Sequence, residues 1–72
     1  MRSMTREDFR TKVADVLEVP SVDDTMRFRD LPGWCSLQAF GLLVMLENEC
    51  GVRLDAARFA TLETVGDLYD AR

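Results

Sequence analysis

The sequence contains no histidine and only two cysteines among its 72 residues. The missing histidine removes any Cys-His nucleophilic pair, and two separated thiols fall short of the ligand set of a zinc site. No disulfide framework follows either. If Cys35 and Cys50 share one helix, a rise of about 1.5 Å per residue puts them roughly 22 Å apart, beyond disulfide reach. Reduced thiols suit a reducing cytosol. Basic residues are in deficit: nine Lys and Arg face thirteen Asp and Glu, for a net charge of -4 and a pI near 4.6. Nucleic-acid binding draws its affinity from phosphate neutralisation, so this balance speaks against a nucleic-acid partner and for partners with basic surfaces. Long apolar runs are also missing. The longest, Leu42 to Leu46, is far too short to cross a bilayer. The opening segment, Met1 to Val13, carries Arg2, Arg6, Glu7, Asp8 and Arg10 and lacks the apolar stretch of a signal peptide. A cytoplasmic protein without a membrane partner is expected. No phosphate loop, dinucleotide fingerprint or internal repeat occurs, and no segment alternates with period two for long enough to form a strand.

The chain does hold the material of a folded helical domain. Its hydrophobic fraction of 47% fits a globular protein. Residues 1–72 make one domain, too small for a core and a deep catalytic cleft together. Thr5, followed by Glu7 and Asp8, predicts a helix start close to a capping box, and Phe9, Val13, Val16 and Leu17 give it one apolar stripe. Pro20 is its expected end. A long connection from Val19 to Trp34 follows, with Met26, Phe28, Leu31 and Trp34 as anchors to the core. Arg27, Arg29 and the pair Asp23-Asp24 read as solvated charge. The second helix is expected from about Cys35 to Cys50, stopped by Gly51. A short helical turn follows at Asp55 to Phe59. The last helix starts at Thr64, with Asp67 repeating the cap pattern and Val65, Leu68 and Tyr69 facing inward. The expected fold class is all-α.

The second helix carries two apolar stripes. Ala39, Leu42, Leu43, Leu46 and Cys50 have the spacing of a core face. Leu37, Phe40, Val44 and Met45 form a second stripe, either a contact surface for a partner or cargo or a face covered by loop residues Met26, Phe28 and Trp34. Gly41, which costs about 1 kcal/mol in a helix relative to Ala, marks either a tolerant solvent face or a close approach. Ser36 opens the helix. A serine there serves as a plain cap, or it uses the unpaired N–H groups and partial positive charge of a helix start for a phosphate. Spacing alone leaves both open. Cys35 before it reads as a spectator thiol or a reactive one.

The run Gly33-Trp34-Cys35-Ser36-Leu37-Gln38, continuing through Leu42 to Glu49, resembles the modification site and second helix of acyl carrier proteins. Gly51-Val52-Arg53-Leu54 and Thr64-Val65-Gly66-Asp67-Leu68 extend the resemblance over nearly the whole chain. It implies an acyl-carrier-like four-helix bundle with a long first loop and a short third helix. It also implies 4'-phosphopantetheine, derived from coenzyme A, esterified to Ser36 and carrying acyl, aminoacyl or polyketide groups as thioesters. Implied partners are a phosphopantetheinyl transferase and acyl-transferring or condensing enzymes with basic or apolar docking surfaces. Leu37, Gln38, Phe40, Gly41, Val44, Met45 and Glu47 would form the face they read. The chain would be a monomeric carrier and not an enzyme, with no catalytic residue and no metal. Two departures stand out: Cys35 replaces the aspartate usual before the serine, and Gln38 and Gly41 occupy positions often acidic in fatty-acid carriers. The first removes an acid that would cap the helix and help the modifying enzyme; the second, with fewer carboxylates and more apolar surface, points to a specialised biosynthetic pathway with its own partners. The alternative is an unmodified carrier-like module that binds a partner through the apolar face of the second helix.

Overall fold

Side chains that satisfy helix starts set the boundaries of three helices in the computed structural model, which describes residues 4–71. Helix α1 spans Arg6–Leu17, and the Thr5 hydroxyl accepts from the Asp8 N–H at 3.0 Å. It closes on Glu18, a non-glycine residue at φ 58°, whose N–H returns to the Ala14 and Asp15 carbonyls. The stop therefore comes before Pro20. Helix α2 is Ser36–Cys50, ended by Gly51 at φ 70°. Helix α3, Ala56–Ala60, is capped by Asp55, whose carboxylate accepts from the Arg58 N–H at 2.7 Å. Helix α4, Val65–Asp70, has a full capping box: Asp67 N–H donates to the Thr64 hydroxyl, and the Asp67 carboxylate accepts from the Glu63 and Thr64 N–H groups at 3.0 Å each. Helix α2 differs from these three, since its N-cap, Cys35, offers no side-chain acceptor.

The apolar faces meet in one core. Phe9, Val13 and Leu17 of α1, Leu42 and Leu46 of α2 and Val65 and Leu68 of α4 are fully enclosed, together with Phe28 from the long first loop. Helix α1 packs against α2 and α4. Gly41 of α2 lies at a close α1–α2 approach: a Cβ there would stand 3.0 Å from a Val16 methyl. The glycine thus marks a close approach within the molecule.

The loop between α1 and α2 is tied down along its length. Its stretch from Asp24 to Phe28 runs antiparallel to Glu63–Gly66, with Phe28 N–H donating to Glu63, Val65 N–H to Met26 and Gly66 N–H to Asp24. A Cβ at Gly66 would stand 3.1 Å from the Asp24 carbonyl, so a larger residue there would force this seam to give by a few tenths of an ångström. A short 3-10 turn, Phe28–Asp30, follows. All four side chains expected to be solvated have partners: Asp23 accepts from the Thr25 N–H and hydroxyl at 3.1 and 2.8 Å, and Arg27 pairs with Asp30 and Glu63 at 3.4 Å each. Asp24 pairs with Arg6 at 2.6 Å and Arg10 at 3.2 Å, and Arg29 donates to the carbonyls of Phe59 and Leu62 at the end of α3.

Two predictions follow from the caps. Burial pushes the Asp24 carboxyl upward, but the hydrogen bonds and charges of Arg6 and Arg10 prevail and hold it below its ordinary 3.8. Backbone N–H groups of Thr64 and Glu63 hold Asp67 below 3.8 as well. Because both folded values are depressed, the unfolded chain takes up protons first on acidification. The stability involved is complete well above 3.8 and is lost as pH falls through the folded values. Asp67→Asn should lower the urea midpoint at about pH 7 and flatten its fall between about pH 5 and pH 2; a curve merely parallel to the parent's would exclude the capping carboxylate as a source. Conversely, Cys35→Asp should give α2 the acceptor it lacks and add about 1 kcal/mol, read as a rise in melting temperature of about 4–8 °C. An unchanged melting temperature would show that α2 gains nothing from a side-chain cap.

Candidate functional site at the start of the second helix

The loop delivers the chain into α2 through a turn fixed by its aromatic residues. Trp34 packs on Phe28 with ring centroids 5.5 Å apart, and the Trp34 N–H closes on the Leu31 carbonyl at 3.2 Å. Cys35 is extended, and its carbonyl accepts from the N–H groups of Gln38 and Ala39. Ser36 is then the first helical residue. Its side chain is exposed and makes no hydrogen bond among the described residues. The first-turn N–H groups, with their partial positive charge, are therefore left without a side-chain cap beside an available hydroxyl.

Two open grooves flank this point. One, of about 550 Å³, runs between α2 and α3 and is lined by Trp34, Ser36, Ala39, Leu43, Ala56 and Phe59 among others. The other, of about 530 Å³, lies between α2 and the end of α1, beside Val16, Glu18, Leu37, Gln38 and Val44. Phe40 lines both and stands between them as a ridge. The α3 wall is not part of the site as read from sequence. The available signal was the pair of small residues Ala56 and Ala60, one turn apart beside Phe59.

The residues expected to form one partner face divide into groups. Leu37, Phe40 and Val44 are 76%, 63% and 38% exposed, so the loop aromatics do not cover them. Met45 must be corrected: it is 7% exposed and belongs to the core, because it follows Leu42 by three residues and points inward with Leu46. Gln38 is half-buried and turned toward α1, its amide donating to the Leu17 carbonyl across a long 3.4 Å while its Oε1 is enclosed without a partner. Gly41 is half-buried at the α1 contact. Glu47 is exposed at the far end of α2 and accepts from Arg53 at 2.8 Å. Cys35 is an exposed thiol outside any disulfide.

Among the described residues no three His, Cys, Asp or Glu side chains are grouped as metal ligands, and no helix is long and apolar enough to cross a membrane. Neither a curated protein nor a solved structure matches the chain. A family model does: the one described as the phosphopantetheine attachment site matches residues 7–71, which takes in all four helices and the start of α2. Proteins of this kind work with a phosphopantetheinyl transferase and with biosynthetic enzymes. On a match over almost its entire length, the chain belongs to the phosphopantetheine attachment site family and is a carrier protein whose covalent cofactor is 4'-phosphopantetheine.

Proposed function

We propose that Ser36 is the residue that bears the cofactor, and that the chain presents acyl, aminoacyl or polyketide groups to partner enzymes in a specialised, cytoplasmic biosynthetic pathway. The observation that carries this reading is the exposed, unengaged Ser36 hydroxyl at the first position of α2. The residues there fit a phosphate ester. No internal hydrogen bond competes for the hydroxyl, and the uncapped N–H groups favour a neighbouring anion. When attached, the cofactor supplies a flexible arm ending in a thiol that holds the acyl group as a thioester.

The protein's own part is to hold that arm in one place and to be recognised. The anchored turn at Trp34 fixes where Ser36 projects, and α2 sets the direction. Tethering raises the effective concentration of the carried group at each partner's active site without new contacts. No catalytic side chain is needed for this work. The uncharged start of α2, with Gln38 turned inward and Gly41 against α1, supports dedicated partners over a general fatty-acid pathway.

Incubation with coenzyme A and a broad-specificity phosphopantetheinyl transferase tests the assignment by intact mass. The parent protein should gain one phosphopantetheinyl group and Ser36→Ala none. A gain that persists in Ser36→Ala would place the attachment elsewhere. No gain with any of several transferases would favour an unmodified module that binds partners through the exposed Leu37, Phe40 and Val44.

A further inference from the structure

Charge is distributed unevenly around the exposed face of α2. No residue from Leu31 to Leu46 carries a formal charge, although the chain as a whole has a net charge of -4. The carboxylates that border this stretch are matched by cations: Asp30 by Arg27 at 3.4 Å, Glu47 by Arg53 at 2.8 Å and Glu49 by Lys12 at 3.8 Å. Among the described residues lining the two grooves, Glu18 is the one carboxylate and Arg29 the one cation. Arg29 is committed to the Phe59 and Leu62 carbonyls and lies over the Phe28 and Phe59 rings. A basic docking surface would find little here to pair with. Its desolvated lysines and arginines would lose water without gaining partners.

The apolar side of the balance is large. Leu37, Phe40 and Val44 follow at i, i+3 and i+7, which places them along one side of the helix beginning next to Ser36. Phe40 stands as a ridge with a groove on either side. A surface that fits this shape has a central pocket for one aromatic ring and flanking rims that enter the grooves. Aromatic residues set in such pockets dominate interface energetics, and the cores of interfaces are depleted of charge.

We infer that the enzymes which read Ser36 dock on α2 through an uncharged, apolar pocket that receives Phe40, and not through a basic surface. This rests on the assignment of Ser36 as the attachment residue. Docking of this kind is insensitive to screening by salt, whereas a basic partner steered by carboxylates loses affinity steeply as salt rises.

The test uses calorimetric binding of a broad-specificity phosphopantetheinyl transferase to the Ser36→Ala chain, so that no transfer occurs. Between about 25 mM and about 300 mM NaCl the Kd should change by no more than about twofold. Phe40→Ala in the same background should weaken binding about tenfold or more, and Glu18→Gln by no more than about twofold. Phe40 is largely exposed, and circular dichroism verifies that its variant keeps the fold. A Kd that rises tenfold with salt, a Phe40→Ala chain that binds like its parent, or no binding by the parent would each overturn the inference. Intact mass of the wild-type chain after reaction is read separately. Binding of the expected kind without mass gain supports the docking face and overturns only the attachment at Ser36.

Discussion

Phe28, enclosed between the rings of Trp34 and Phe59 at 5.5 and 5.6 Å, is the contact through which the long loop becomes part of the core. Helix α3 has only five residues, too few to hold a helical shape alone in water. It keeps its place because Phe59 packs on Phe28 and because Arg29, the next residue, caps its last carbonyls while lying over both rings. Trp34 then sets the entry of α2 on the same anchor. One buried ring thus positions both walls of the groove that opens at Ser36. A loop held in this manner acts as a structural element, which is why its length does not make the start of α2 indefinite.

The remaining supports are close backbone approaches backed by charge. At Gly66 the first turn of α4 meets the Asp24 carbonyl, and the Asp24 side chain reaches back to Arg6 and Arg10 of α1. The seam therefore joins α1, the loop and α4 at one aspartate. Gly41 does similar work between α1 and α2. Its helix-propensity cost of about 1 kcal/mol is offset by letting Val16 come close enough to seal the core beneath the exposed face.

How far these features could be read from the sequence depends on how local they are. Thr5, Asp55 and Thr64 bond to residues three positions ahead, so their helix starts were legible from composition and spacing. The excess apolar stripe of Leu37, Phe40 and Val44 was legible too, but whether the loop aromatics covered it was decided only by the structure, which leaves all three exposed. Met45 was assigned to the wrong face because it lies near the boundary between the stripes, where periodicity alone does not resolve a single residue. Arg29 and Asp24 looked like solvated charge because their partners lie about 30 and 14–18 positions away. The pairing of Arg27 with Thr64 and the α3 wall of the groove were hidden for the same reason. The proposal that Ser36 is more than a cap rests on resemblance, since an N-terminal serine has the same local signature in either role.

The cap itself bears on that distinction. In α1, α3 and α4 the residue before the helix spends its side chain on an N–H of the first turn, and in α2 it does not. A bundle of this size gains appreciable stability from each cap, so leaving one helix uncapped is a sacrifice located next to the exposed serine. The same helix also keeps three large apolar side chains in water, a further cost to the isolated molecule. Both deficits lie on one side of α2 and within a few turns of Ser36. On the reading proposed above, an anion at the helix start would satisfy the N–H groups, and an apolar partner would cover Leu37, Phe40 and Val44. Under the proposed docking on α2, stability withheld at these positions becomes binding energy for the partner, a route by which a molecule with so little interior gains selective recognition.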